Sequence, residues 1–180
     1  MYFAKKGKQN TKKTLEIAIK EAKERNIEHV VVASNTGVTA MGLKGAANNV
    51  VCVSHVNGML QNGVNELTSE DRQTLEDAGI RVLTTTHVLS GVERGISRSV
   101  GGMYPAEIMA NTLRMFGAGV KVCVEVAIMA LDAGLIPYGQ PIIAIGGTGK
   151  GADTAVIFTP SHAQSVMETK IHEILCKPGL

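Results

Sequence analysis

The chain has 180 residues, of which 44% are hydrophobic and 3% aromatic, with no Trp and a net charge of +2. That length and apolar content support a folded core and exclude a disordered chain. The small net charge argues against a reader of nucleic-acid backbones, and the scarcity of aromatic rings argues against base-stacking platforms, so no nucleic-acid partner is expected. Cys52, Cys123 and Cys176 are odd in number and widely spaced, which suits neither a disulfide framework nor a CxxC metal knuckle. Cys52 lies in an apolar strand candidate and Cys123 on an apolar helix stripe, so both read as buried small hydrophobes. The histidines show no metal-like spacing with carboxylates or cysteines, and no metal is expected. No run is long and apolar enough to span a bilayer, and no apolar leader follows Met1-Tyr2-Phe3-Ala4-Lys5-Lys6. The expectation is a single cytoplasmic domain over residues 1–180 without a membrane partner.

Strand and helix candidates alternate along the chain. Tyr2 to Ala4 reads as a short strand and Gly7 to Asn10 as a turn, with Asn10 as N-cap of a helix whose apolar face is Leu15, Ile17, Ala18, Ile19 and Ala22. His29 to Ala33 reads as a strand, Thr39 to Ala47 as a short helix and Val50 to Ser54 as a strand. His55 to Leu67 is a long loop with Asn57-Gly58 and Asn62-Gly63 turn signals. Thr68-Ser69-Glu70-Asp71 opens a helix with a capping-box pattern in which Asp replaces the usual Glu, and Gly79 closes it. Ile80 to Thr84 reads as a strand. Thr85 to Gly102 has no strong period. Pro105 opens a helix ending near Gly117. Val120, Cys123, Val124, Ala127, Ile128 and Leu131 form the stripe of a buried amphipathic helix closed by Gly134. Pro141 to Ile145 and Asp153 to Thr159 read as strands joined by a glycine-rich turn, Gly146 to Gly151. Thr169 to Cys176 reads as either a last strand or a short helix.

This alternation implies a layered α/β domain with a mostly parallel sheet and helices on both faces. Ligands of such sheets bind outside the carboxyl ends of the strands. Ser34, Ser54, Thr85 and Gly146 all follow strand candidates, so parallel strands would bring four polar or glycine-rich loops to one rim. The most informative of them follows Val30-Val31-Val32-Ala33, where Ser34-Asn35-Thr36-Gly37-Val38-Thr39-Ala40 leads from a strand into a helix. A helix start offers unpaired N–H groups and the positive end of a dipole, and hydroxyls with a glycine let a phosphate approach the backbone. The same hydroxyls serve equally well as caps for the helix.

Residues Val30 to Ala40 resemble the effector-phosphate loop of the pyruvate kinase C-terminal domain, and Ile142 to Val156 is similar to that domain's last glycine-rich hairpin. More specifically, Gly7-Lys8-Gln9-Asn10-Thr11, Ser34 to Ala40, Leu89 to Arg98 and Gly151-Ala152-Asp153-Thr154-Ala155 resemble a small stand-alone family of pyruvate kinase C-terminal-domain-like proteins, over nearly the full length. The resemblance implies a three-layer α/β sandwich with a mixed sheet and a bound flavin mononucleotide (FMN) or similar phosphorylated ligand, with no established reaction. The pyruvate kinase catalytic barrel has no counterpart here, so kinase activity does not carry over. Val38 stands where pyruvate kinases often carry a basic residue, a departure from the sugar-phosphate pattern.

The phosphate is expected at Ser34, Asn35, Thr36, Gly37, Val38 and Thr39. The ring system is expected along the rim at Gly146, Gly147, Thr148 and Gly149, where glycines leave the backbone open. Thr148, Asp153 and Thr154 would serve the ring's polar edge. A side chain at Gly147 should then block the ring and spare the phosphate loop. Asn10 and Thr11 would add contacts from the neighbouring loop. Arg94 and Arg98, four apart, share a helical face and would grip a phosphate or carboxylate, or pair with Glu93 or another acid.

Other features read more plainly. Gly146 to Gly151 fails as a Walker A loop, because Gly149-Lys150 is followed by Gly151 and Ala144 stands where the leading glycine belongs. His55 and His87 are hydrogen-bonded loop residues or acid–base groups. Ser90, His87 and Glu93 are triad residue types without a nucleophile elbow. Glu125 and Asp132 read as a solvated or salt-bridged helix edge. Two functions fit these residues: a binder of a phosphorylated ligand, FMN first, or a small flavin-dependent oxidoreductase of unknown substrate. The apolar content also allows a contact face for homo-oligomers without locating it.

Overall fold

The computed structural model describes residues 1–179. Its strands are β1 (Tyr2–Phe3), β2 (His29–Ala33), β3 (Asn49–Val53), β4 (Ile80–Leu83), β5 (Ile142–Gly146), β6 (Thr154–Thr159) and β7 (Lys170–Pro178). They form one 7-stranded sheet in the order β1-β7-β6-β5-β2-β3-β4. β5, β2, β3 and β4 run parallel, while β6 is antiparallel to both of its neighbours. The glycine-rich turn after β5 is too short for a crossover, so β6 must return antiparallel, and the sheet is mixed.

The helices are α1 (Thr11–Glu24), α2 (Val38–Met41), α3 (Ser69–Asp77), α4 (Gly91–Val100), α5 (Pro105–Arg114) and α6 (Ala118–Asp132). Leu15, Ala18 and Ala22 of α1, Ala40 of α2 and Leu75 of α3 pack against Val30, Val32, Val50, Cys52, Ile143 and Ile145 on one face of the sheet. The alternate residues Val31, Val51, Ala144 and Val156 point to the other face, against Cys123, Ala127 and Ala130 of α6. This is the three-layer α/β architecture that the strand–helix alternation implies.

Several elements differ from their sequence reading. α2 stops at Met41, because the backbone tightens into i→i−3 bonds from Gly42 N to Thr39 O (3.2 Å) and from Leu43 N to Ala40 O (2.9 Å) ahead of Gly45, whose φ is +70°. Asn10 precedes α1 but does not cap it; its Nδ2 donates to Lys5 O at 2.6 Å. Thr68 does cap α3, accepting from Asp71 N at 3.0 Å. α4 occupies the region without a strong period and buries none of its residues. Val92, Ile96 and Val100 do recur at i, i+4 and i+8, but this stripe faces solvent. α6 is not amphipathic. Sheet, α5 and neighbouring loops enclose it, and every residue from Gly119 to Leu131 except Val122 is buried, Lys121 and Glu125 included. Residues 170–178 are a strand, paired along β6.

Candidate functional site

The carboxyl ends of β2, β3, β4 and β5 lie side by side, so the four loops converge as expected. Cross-strand bonds hold the rim: Ser34 N donates to Val53 O (3.0 Å), Ser54 N to Leu83 O (2.9 Å), and Ser54 Oγ and Thr84 Oγ1 share a bond of 2.6 Å. Arg72 Nη2 donates to Thr84 Oγ1 at 2.7 Å, clamping the rim to α3. Above it opens a cleft of about 1050 Å³. It spans the sheet edge, from α1 and α2 on one side to α4, α5 and α6 on the other.

At one end lies the loop Ser34 to Thr39. Ser34 is buried, and its Oγ accepts from Thr39 N (3.2 Å) and Ala40 N (3.4 Å). Ser34 is therefore the cap of α2. This leaves Asn35, Thr36, Gly37 and Val38, whose N–H groups donate to no acceptor among the described residues, together with the unpartnered hydroxyls of Thr36 and Thr39. Gly37 adopts φ +80°, and a Cβ there would press on Leu75 Cδ1 at 2.9 Å, so the turn demands glycine on two counts. Ser34, Asn35, Thr36, Val38 and Thr39 line the cleft, and Gly37 lies behind it against the core.

The glycine hairpin approaches from α1. Gly147, Gly149, Lys150 and Gly151 line the cleft, whereas Gly146, Thr148, Asp153 and Thr154 do not. Asp153 is fully buried; its Oδ2 accepts from Gly7 N (2.8 Å) and Thr148 N (3.2 Å), and its Oδ1 from Thr154 Oγ1 (2.9 Å). The expected ring-edge role of Asp153 and Thr154 is corrected accordingly: their polar atoms are spent pinning the hairpin to the first loop. Gly146 packs on α6, where a Cβ would lie 2.7 Å from Gly119 O. The expectation that a side chain at Gly147 would block the ring alone is also corrected, because a Cβ there would overlap the Gly151 carbonyl and break the hairpin itself. Thr11 lines the cleft, but its Oγ1 donates to Lys8 O (2.8 Å) and accepts from Ala152 N (3.0 Å), so it holds the hairpin. Asn10 is turned away to Lys5.

The other end of the cleft carries a titratable cluster. Arg94 reaches it from α4 and Arg98 does not. Neither pairs with Glu93, whose Oε1 accepts from Ala106 N (2.8 Å) and Glu107 N (3.2 Å) at the start of α5. With Glu93 so placed, no Ser90–His87–Glu93 triad exists. Opposite Arg94, Lys121 Nζ donates to Glu125 Oε2, and Glu125 Oε1 accepts from Leu89 N at 3.0 Å. Lys121 is 6% exposed and Glu125 4%, so of the two readings of Glu125 the salt-bridged one holds and the solvated one does not. Burial pushes the Lys121 amine below its usual range, opposed by Glu125 and reinforced by Arg114 and Arg94. His55 Nδ1 bonds Glu66 Oε2, and the His55 and His87 rings lie 5.6 Å apart. His87 Nε2 accepts from Val56 N at 3.3 Å, which assigns its proton to Nδ1 when neutral. Burial holds His87 below its ordinary value against the pull of Glu125.

Sequence reading missed Lys121, Glu125, Glu66 and Arg114 as cleft residues. The signal for the first two was present: a Lys and a Glu four apart inside an otherwise apolar helical run. No group of His, Cys, Asp or Glu among the described residues is arranged to hold a metal ion, and no helix is long and apolar enough to cross a membrane.

A family profile described as "Pyruvate kinase, alpha/beta domain" matches residues 12–158. The chain belongs to the pyruvate kinase α/β-domain family. Solved structures similar to it include a pyruvate kinase from Cryptosporidium parvum, at 16% identity over 81% of this chain and 22% of that one, with a TM-score of 0.43. The pyruvate kinase of the same organism in complex with ADP matches at 15% identity over 82% of this chain and 22% of that one, with a TM-score of 0.42. This chain spans less than a quarter of those enzymes, which cover it with 22% of their length. Within the α/β-domain match fall both the 34–39 loop and the glycine hairpin.

Proposed function

We propose that this α/β domain binds a phosphorylated small molecule in the rim cleft, with FMN as the foremost candidate. The observation that carries the reading is the set of N–H groups of Asn35, Thr36 and Val38, which line the cleft and donate to no acceptor among the described residues, the Thr39 and Ala40 N–H groups being taken by Ser34. Donors left free at a cleft suit an acceptor from outside, and a phosphate offers the most acceptor oxygens. The Thr36 and Thr39 hydroxyls add to them. The rest of the ligand would run towards Gly147 and Gly149, between Leu15 and Ile19 of α1 and Val122 and Val126 of α6, all of which line the cleft. Packing there is aliphatic.

Titrating FMN into the protein and following quenching of flavin fluorescence tests this. A charge-assisted hydrogen bond contributes about 1.5–3 kcal/mol, so Thr36→Ala/Thr39→Ala should bind at least about tenfold more weakly. Wild-type affinity in that variant would place the phosphate elsewhere. The second reading, a flavin-dependent oxidoreductase, is favoured by the titratable residues His55, Glu66, His87, Lys121 and Glu125 on the same cleft. Bleaching of the flavin absorbance by a reduced nicotinamide would support it, and a flavin that stays oxidised would leave the binder.

A further inference from the structure

The α6 end of the cleft holds more positive charge than the protein itself balances. Lys121 is the centre. An ammonium has three N–H donors, and this one, 6% exposed, has Glu125 as its single acceptor among the described residues. Arg94 and Arg114 line the same wall, and neither has a carboxylate within salt-bridge distance among those residues. Arg114 donates to Asn111 Oδ1 at 2.8 Å, a neutral partner, and Glu93, the acid nearest Arg94 in the chain, is committed to the start of α5. Three cations thus face one buried carboxylate, which already serves Lys121 and Leu89 N–H. His55 Nδ1 bonds Glu66 Oε2 nearby, and burial favours the uncharged form of His87.

Like charges gathered at a partly dry site repel one another unless an anion joins them. We infer that Lys121, Arg94 and Arg114 form a second anion subsite, separate from the 34–39 loop, which takes the carboxylate of a small organic acid. The carboxylate would complete the donors of Lys121, while Arg94 and Arg114 close over it from the exposed side. An organic acid fits better than a bare inorganic anion because Val122, Val126 and Met129 give the site an apolar wall for a short carbon chain. The proposal goes beyond phosphorylated-ligand binding and does not depend on it.

The test uses butyrate and inorganic phosphate as probes, each titrated by calorimetry or ligand-observed NMR at constant ionic strength. Wild type should bind butyrate. Arg94→Gln/Arg114→Gln alters exposed side chains alone, so the fold should hold and butyrate binding should fall at least tenfold. Lys121→Met/Glu125→Gln removes the buried charges together and should abolish it with the fold intact. Thr36→Ala/Thr39→Ala should bind butyrate as wild type does. Wild type without butyrate binding, or undiminished binding in Arg94→Gln/Arg114→Gln, overturns the subsite. So does competition by phosphate together with loss of butyrate binding in Thr36→Ala/Thr39→Ala, which would merge the two sites. Failure of phosphate and FMN to bind would count against the 34–39 loop and leave the butyrate result standing.

Discussion

Replacing Glu125 by Leu isolates what the buried ion pair contributes to the fold. The substitution leaves Lys121, at 6% exposure, without its one acceptor among the described residues, and leaves Leu89 N–H without the oxygen that lies 3.0 Å away. Removing one member of a buried pair costs about 3–5 kcal/mol, and orphaning a buried N–H about 1–3 kcal/mol, the two not being additive. There is also a ceiling on the ammonium's share. Lys121 can shed its proton, and at neutral pH that costs at most about 5 kcal/mol for an amine whose ordinary pKa is 10.5. The expected loss is therefore about 3–5 kcal/mol, a large part of the 5–15 kcal/mol that stabilises an ordinary domain. Lys121→Met/Glu125→Gln is the control. Its amide oxygen still accepts from Leu89 N–H and no charge is left buried, so it should be as stable as wild type or more so. Urea unfolding with a shared m-value reads both. A loss under about 1 kcal/mol in Glu125→Leu, or a double variant as unstable as the single one, would refute the account of this pair as buried and mutually dependent.

Two further outcomes follow from the folded protonation states. His87 sits below its ordinary 6.5, chiefly through burial; the fold is therefore unburdened above that pH, and it loses stability as pH falls below it, because the unfolded chain takes up the proton first. The unfolding midpoint should drop between about pH 7 and about pH 5, and by less in His87→Gln; an identical drop in both would exclude His87 as its source. Burial pushes the Cys52 thiol up to about 12 and raises Cys123 and Cys176 as well, so a thiol reagent at neutral pH should find no fast-reacting group in the native protein and all 3 after unfolding. Rapid native labelling would contradict the burial of these residues.

Local patterns in the chain determine most of the frame. The β-branched run ending at Ala33, the cap at Thr68 and the glycine turn after Ile145 are short-range signals, and each strand or helix they bound appears within a residue or two of its reading. Alternation of strands and helices then dictates parallel pairing, and parallel pairing brings Ser34, Ser54 and Gly147 to one rim. The loop 34–39 is legible for the same reason: its hydroxyls and glycine are contiguous. What the tertiary structure decides is the partner of each polar atom. Contiguous residues show that Asp153 and Thr154 carry donors and acceptors, but only the approach of Gly7 and Thr148 shows them already engaged. Ser34, Thr36 and Thr39 look alike in the chain, and packing alone selects Ser34 as the cap and leaves the others open. Glu125 reads as a solvated or salt-bridged edge; the partner is Lys121, and the pair is buried only because α5 and the loop at Leu89 close over it. Periodicity reports which face of an element is apolar, whereas burial of a charge depends on which distant segments come to cover it, and that is set by the assembled fold.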